Sequence, residues 1–308
     1  MTGRHELDLS GQGLSAFIPT RHQSACTALD LDRNGLTSLP ESVGSLVQLR
    51  HLSLYHNHLT SLPAALGCLP DLRTLNVSAN RIDRLPDGLV DLRKLRMLDA
   101  GHNRIRSLPD SIGNLKRLEF LYLSNNRLTA LPRSFANLKK LIYLNITDNG
   151  LRGFPKVIGE LVSLVELRLY NNALPDLPES IGQLVNLREL HLMNNRLTAL
   201  PETIGRLKGL QKLDLQDNRI ASLPDTIAHL RRLTDLNLRN NALQELPASI
   251  SSLRRLRFLD LRANRLRELP ASIGQLASLE KLDLRWNKIS SLPRAIRSLE
   301  RRGCVIYT

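Results

Sequence analysis

Histidines are the side chains whose spacing could most readily support metal or acid–base chemistry in this chain. His51, His56 and His58 are close in sequence, and an imidazole can bind a metal ion or transfer a proton near neutral pH. They occupy three different positions of a repeated pattern, so they should point in different directions. His56 and His102 share one position, but two repeats should separate them by roughly 9–10 Å, too far for one metal ion. The spacing of the histidines therefore predicts no metal site.

Other signatures of catalysis are also missing from the sequence. It has no glycine-rich phosphate-binding loop, nucleophile motif or close set of metal ligands. We therefore expect no catalytic residues and no cofactor, and the chain is predicted not to be an enzyme.

Aromatic and methionine side chains are concentrated at a few positions of the pattern. Three of these positions lie six, four and two residues before a recurring asparagine, and they hold Tyr55, Met97, Phe120, Tyr122, Tyr143, Tyr170, Met193 and Phe258. Trp286 directly precedes such an asparagine. Large apolar side chains on a face that no core requires are typical of a binding hot spot. The alternative is that neighbouring aromatic rings merely cover one another.

The asparagine marks a unit of 23 residues that recurs without insertion or deletion. Its twelve copies are Asn34, Asn57, Asn80, Asn103, Asn126, Asn149, Asn172, Asn195, Asn218, Asn241, Asn264 and Asn287, and a proline follows each of them by six residues. A fixed period of this length indicates a solenoid.

Within each unit the apolar residues predict a short strand followed by a turn. Leu121 and Leu123 alternate with Phe120 and Tyr122, so the leucines should point into the core and the other two residues outward. The asparagine should end the strand and bond backbone groups that the turn leaves unpaired. One unit alone could not bury its apolar residues, but stacked units can.

The motif LxxLxLxxNxLxxLPxxIGxL resembles the leucine-rich repeat family. It is similar to the 23-residue LPxxIG class of Shoc-2-like Ras-binding scaffolds, plant Ras-group proteins and many bacterial proteins, and a bacterial member is expected. The resemblance implies an α/β fold: a right-handed horseshoe solenoid with a parallel sheet on its concave face and short helices or 3₁₀ turns on its convex face. One scaffold of this kind serves many functions.

The repeats predict the domain organisation. Residues 1–25 form a degenerate N-terminal capping repeat, residues 26–299 the twelve regular repeats, and residues 300–308 a C-terminal capping strand, with Val305 and Tyr307 expected to point inward. Met1 to Leu14 contain no continuous apolar run, so neither a signal peptide nor a membrane span is expected. The three cysteines do not form the paired caps of extracellular members, which favours a reducing, cytoplasmic compartment.

The net charge of +14 raises the alternative of a nucleic-acid or acidic-surface binder. Positions thirteen and fourteen after each asparagine hold twelve basic residues, Lys139 and Lys140 among them, and should lie on the convex edge. The three outward strand positions carry a net charge of −3. The predicted binding face is therefore not the basic one, which argues against nucleic acid in the concavity.

These observations lead to one functional hypothesis. The chain is predicted to be a monomeric, non-catalytic protein-interaction scaffold, in signalling or as a bacterial effector delivered into a host cell. By resemblance, the partner is a small GTPase or another signalling protein. The predicted partner-binding residues are Met97, Phe120, Tyr122, Tyr143, Arg168, Tyr170, His191 and Met193.

Overall fold

The computed structural model describes residues 6–308, apart from the side chain of Val90. The chain divides into two compact units, the first ending at Gly150 and the second running from Leu151 to Thr308. Each unit is built from three-residue strands that alternate with short helices, mostly of the 3₁₀ type.

The first unit contains seven strands and six 3₁₀ helices. The strands are β1 (Glu6–Asp8), β2 (Ala28–Asp30), β3 (His51–Ser53), β4 (Thr74–Asn76), β5 (Met97–Asp99), β6 (Phe120–Tyr122) and β7 (Tyr143–Asn145). The 3₁₀ helices are Arg21–Gln23, Glu41–Ser45, Ala64–Cys68, Asp87–Asp91, Asp110–Asn114 and Arg133–Asn137.

The second unit repeats this arrangement and ends with an α-helix. Its strands are β8 (Glu166–Arg168), β9 (Glu189–His191), β10 (Lys212–Asp214), β11 (Asp235–Asn237), β12 (Phe258–Asp260), β13 (Lys281–Asp283) and β14 (Val305–Tyr307). The helices are Lys156–Glu160, Glu179–Gln183, Glu202–Arg206, Asp225–His229, Ala248–Ser252 and Ala271–Gln275, all 3₁₀, and α1 (Ile296–Arg301).

Within each unit the strands follow one another in chain order and pair in parallel. Equivalent residues of successive repeats lie side by side, as Leu98, Leu121 and Leu144 do in the first unit. The predicted fold class, a leucine-rich repeat solenoid with a parallel sheet and short 3₁₀ turns, is confirmed.

Leucines at the middle of β2 to β13 form the core side of the sheet. Leu121 and Leu123 are fully buried, as are Leu118, Phe135 and Leu138 of the same repeat. The strand residues on either side of the central leucine are only half-buried, for example in β6. These flanking positions form what we call the sheet face, which is the face available to other molecules.

Proline and glycine set the path of the opposite side of each repeat. Pro109 precedes the helix Asp110–Asn114 with φ −64° and an extended ψ, a conformation that its ring favours. Gly113 lies so close to the next repeat that a Cβ atom there would stand 2.1 Å from the Ser134 carbonyl oxygen. Gly113 is therefore required at this position of its own repeat, although Ala136, Ala228 and Ser251 occupy the equivalent position of other repeats.

The repeat asparagines connect neighbouring repeats through backbone hydrogen bonds, as predicted. The Oδ1 atom of Asn149 accepts from the Leu128 N–H at 2.9 Å, and its Nδ2 atom donates to the Leu123 carbonyl at 2.9 Å and to the Thr147 carbonyl at 3.0 Å. Seven of the twelve are buried, but Asn149 and four others are only half-buried. The bonding pattern therefore does not depend on full burial of the asparagine side chain.

The last strand is shifted by one residue from its predicted register. Ile306, not Val305 or Tyr307, pairs with the core residue Leu282, while Val305 and Tyr307 are exposed. The predicted inward orientation of those two residues was wrong. The final segment forms the α-helix Ile296–Arg301 in place of the usual five-residue 3₁₀ helix, and the step from Leu282 to its partner Ile306 is one residue longer than the 23-residue period.

Two predictions from the sequence concern membrane spans and the state of the cysteines. In the part of the chain that the structure describes, none of the helices has the length and apolar character needed to cross a bilayer. Cys26, Cys68 and Cys304 are free thiols. The predicted domain boundaries, and the absence of a signal peptide in a stretch that begins outside the described residues, stay predictions.

Candidate functional site

The eight predicted partner-binding residues are all half-buried. Six of them lie on the sheet face, and Tyr170 and Met193 lie two residues beyond the ends of β8 and β9. Four belong to the first unit and four to the second, so they form two patches. The first-unit patch is Met97, Phe120, Tyr122 and Tyr143, and the second-unit patch is Arg168, Tyr170, His191 and Met193.

The first-unit patch is apolar and in register. Met97, Phe120 and Tyr143 are side-by-side partners on β5, β6 and β7. Tyr122 lies two residues beyond Phe120 on the same face, and its ring centroid is 4.7 Å from that of Tyr143, with the planes tilted by 36°. The rings thus cover part of one another, as the alternative interpretation of these residues expected. They still leave a contiguous surface of aromatic and thioether groups.

The second-unit patch is dominated by charged and polar groups. Arg168 and His191 are register partners on β8 and β9. The Arg168 Nε–H donates to Oε1 of Glu166 at 2.5 Å, and His191 Nε2 lies 3.2 Å from Oε2 of Glu189. The sequence analysis named Arg168 and His191 as partner-binding residues, but it did not predict their contacts with Glu166 and Glu189.

Glu166, Glu189 and His191 form a cluster that the sequence analysis missed. Their potential ligand atoms all lie within 4.8 Å of one another, and among the residues that the structure describes this is the one such group of three. The sequence analysis compared only the positions of histidines with one another, so it could not detect a cluster made of one histidine and two glutamates. The usable signal was the pair of glutamates at the same position of successive repeats, with a histidine two residues after the second glutamate.

Lys212 and His191 determine the charge state of Glu189. Burial acts to raise the Glu189 pKa, but hydrogen bonds from Lys212 and His191, together with their charge, bring this pKa below its ordinary value. Lys212 Nζ lies 3.1 Å from Oε1 of Glu189. The carboxylate therefore remains ionised at neutral pH.

Arginine and aspartate alternate further along the sheet face and neutralise one another. Arg262 pairs with Asp260 and lies 3.5 Å from Asp283, while Arg285 is 2.7 Å from Asp283. Asp283 has a side chain only 1% exposed. Burial acts to raise the Asp283 pKa, but the bonds and charge of Arg285, with the charge of Arg262, lower it overall.

Aromatic residues near the end of the chain are more exposed than those of the first-unit patch. Phe258, Trp286 and Tyr307 are 38%, 64% and 40% exposed, and the Arg285 guanidinium lies 5.5 Å from the Trp286 ring centroid and 5.0 Å from that of Tyr307. Trp286 also has a φ of +61°, which is rare for a bulky residue. The sequence analysis named Phe258 and Trp286 among the aromatic residues around the asparagines, but it expected Tyr307 to point inward.

The basic residues at positions thirteen and fourteen after the repeat asparagines, which we call the basic columns, mostly follow the 3₁₀ helices and lie away from the sheet face. Lys116 and Arg117 follow the helix Asp110–Asn114, one and two residues beyond its capping Leu115, and are exposed. Lys139 and Lys140 occupy the equivalent positions one repeat later and are also exposed. These residues therefore follow the 3₁₀ helices rather than forming their last turn.

Family models match most of the chain. A model described as a leucine-rich repeat region matches residues 24–105, 89–177 and 173–256, and one described as a leucine rich repeat matches residues 255–276 and 278–299. The chain belongs to the leucine-rich repeat family. No curated protein matches it significantly.

Solved structures agree with this assignment. A leucine-rich repeat protein of Leptospira interrogans is 31% identical, with 99% of this chain and 96% of that chain covered and a TM-score of 0.68. A plant peptide hormone receptor, RGFR1, in complex with RGF2, is 31% identical over 94% of this chain and 49% of the receptor chain, with a TM-score of 0.81. An internalin of Listeria monocytogenes has the same fold, with 23% identity, coverage of 98% and 86%, and a TM-score of 0.85.

Proposed function

We propose that this protein is a non-catalytic interaction scaffold that binds a protein partner through its sheet face. The observation that carries the proposal is the first-unit patch. Met97, Phe120 and Tyr143 are aligned on three adjacent strands. The leucine that follows each of them is buried in the core on the other side of the sheet. The fold thus requires no aromatic residue at these outward positions, whereas a protein interface gains from them.

Both patches contribute binding residues in this proposal, each on its own unit. Met97, Phe120, Tyr122 and Tyr143 offer apolar contact area, and Arg168, Tyr170, His191 and Met193 offer directional polar contacts beside apolar ones. Interfaces commonly combine an apolar centre with polar groups that fix orientation.

The relatives support a protein partner and a bacterial setting. The plant receptor is in complex with RGF2, and the Leptospira protein matches this chain over nearly its whole length. We assign the chain to the 23-residue LPxxIG class from its motif, as a bacterial member acting in the cytoplasm or as an effector within a host cell. By resemblance to Ras-binding scaffolds, the partner class is a small GTPase or another signalling protein.

The second candidate function uses the basic columns that follow the 3₁₀ helices. Their residues, such as Lys116, Arg117, Lys139 and Lys140, are exposed, which suits a polyanion. The sheet face carries a net charge of −3 across its three outward positions and does not suit one.

Salt dependence distinguishes the two functions. A partner captured with the purified chain should bind with an affinity that changes little between about 50 and 200 mM salt if it contacts the aromatic patch. Nucleic acid on the basic columns should lose affinity steeply over that range because counterions are released on binding. Tight binding of RNA or DNA with a steep salt slope, and no salt-tolerant protein partner, would contradict the proposed function.

A further inference from the structure

Glu166, Glu189 and His191 bring three metal-binding side chains to one spot on the second unit. Glu166 and Glu189 are side-by-side register partners on β8 and β9. His191 is two residues after Glu189 on the same strand, so it points to the same face. Each of the three side chains is between 19% and 28% exposed, so the group is at the surface but partly buried by its neighbours.

The distances suit a single small cation. His191 Nε2 lies 3.2 Å from Oε2 of Glu189 and 4.0 Å from Oε1 of Glu166. Zinc ligands at about 2.0–2.2 Å from the ion in a tetrahedral arrangement are separated by roughly 3.3–3.5 Å. The three ligand atoms all lie within 4.8 Å of one another, so side-chain rotation must shorten the longer separations to reach that value.

From this geometry we infer that Glu166, Glu189 and His191 form a binding site for a divalent transition metal ion of the zinc type. One imidazole nitrogen and two carboxylate oxygens are donors that Zn²⁺ accepts, whereas Mg²⁺ and Ca²⁺ prefer oxygen ligands throughout. The ion would link β8 to β9 and would keep a fourth position open to the sheet face.

The neighbouring residues favour the site in two ways. Lys212 holds Oε1 of Glu189 at 3.1 Å, while the other oxygen, Oε2, is the one that faces His191. A bond that fixes the outer oxygen of a ligating carboxylate orients the inner one toward the metal. Asp214 is the register partner of His191 on β10 and adds negative charge beside the group.

Arg168 is the competitor for this site. Its Nε–H donates to Oε1 of Glu166, the same oxygen that faces His191. Binding of the ion therefore requires Arg168 to release that oxygen or Glu166 to offer its second one. Replacing Arg168 with glutamine should strengthen metal binding, because it removes the competing cation.

The direct test is calorimetric titration of the full chain with ZnCl₂ near pH 7. We expect one equivalent of Zn²⁺ to bind, with affinity at least about tenfold weaker in His191→Ala and in Glu189→Gln, because losing a direct ligand should weaken binding at least as much as losing a group that only supports a ligand. His51→Ala is the matched control, since His51 is an exposed histidine on the sheet face of the first unit with its ring bonded to Thr74. This control should bind Zn²⁺ like the unchanged protein.

A second measurement keeps the test independent of variant folding. In the unchanged protein, the imidazole resonances of His191 should shift on addition of one equivalent of Zn²⁺, and Co²⁺ should give visible absorption bands of a tetrahedral site. The inference is overturned if the unchanged protein binds no Zn²⁺ at one equivalent. It is also overturned if folded His191→Ala binds as tightly as the control, or if another histidine shifts while His191 does not.

Discussion

The ring of Tyr122 packs against the ring of Tyr143, with centroids 4.7 Å apart, although the two residues occupy different outward positions of their repeats. The contact joins β6 to β7 on the sheet face and accounts for part of the burial of both side chains. It means that the aromatic surface is organised before any partner arrives, which lowers the entropy cost of binding.

The Tyr122–Tyr143 contact should be measurable as a coupling energy. Aromatic pairs contribute about 0.5–1.5 kcal/mol beyond area burial, so a double-mutant cycle with Tyr122→Leu and Tyr143→Leu should give a coupling within that range in urea unfolding. Tyr55→Leu combined with Tyr143→Leu is the control and should be additive, since these residues belong to distant repeats. Additivity in both cycles would show that the rings do not interact in solution.

The hydrogen bonds of Asn149 should stabilise the first unit substantially. Asn149→Ala leaves the Leu128 N–H and the carbonyls of Leu123 and Thr147 without this partner. The expected loss is about 1–3 kcal/mol in the free energy of unfolding. Asn114→Ala, at an exposed position, should change stability by less than about 0.5 kcal/mol. Equal small effects of both substitutions would mean that water replaces the asparagine without cost.

Gly113 should not tolerate a methyl group, although Ala136 and Ala228 occupy the equivalent position of other repeats. Gly113→Ala places a Cβ atom 2.1 Å from the Ser134 carbonyl oxygen, so the backbone must shift, at a cost of about 1–3 kcal/mol. Gly153→Ala is the matched control, because nothing lies within 4 Å of a Cβ at that position. Thermal unfolding of both variants provides the measurement, and a similar melting temperature for the two would contradict the close approach.

The ion pairs of Asp283 should make the second unit sensitive to acid. The Asp283 pKa is lowered in the folded protein. Its stabilisation is therefore complete above the unfolded pKa of about 3.9 and is lost as the pH falls through the folded pKa. Asp283→Asn should reduce the free energy of unfolding by about 1.5–3 kcal/mol at pH 7, and by clearly less at pH 3. A difference from the unchanged protein that stays constant with pH would disprove the role of this charge.

The fold could be predicted from the sequence because the same pattern of residues recurs in every regular repeat. The core leucines, the proline before each 3₁₀ helix of the regular repeats and the bonding role of Asn149 all follow from positions within one 23-residue unit. The shift of β14 could not be predicted in this way. Residues 296–301 form an α-helix where the earlier repeats have a 3₁₀ helix, and Ile306 takes the inward position that simple counting gives to Val305.

The candidate site was predicted only as a set of outward positions. The 23-residue period places Tyr122 and Tyr143 on the sheet face. Whether their rings touch depends on the side-chain torsions, which cannot be derived from the period. The same holds for Asp283, which occupies an outward position yet is buried by Arg285 and its neighbours. Contacts between Glu166, Glu189 and His191 likewise depend on which side chains of adjacent strands turn toward each other.

The most direct test of the proposed function compares two variants for binding to one captured partner by calorimetry. Tyr122→Ala with Tyr143→Ala should weaken binding by at least about 2 kcal/mol, which is roughly thirtyfold in Kd. Lys139→Glu with Lys140→Glu reverses exposed charge on the other side of the repeats and should leave Kd unchanged. If the charge reversal abolishes binding while the tyrosine variant binds normally, the partner contacts the basic columns and the sheet-face assignment is contradicted.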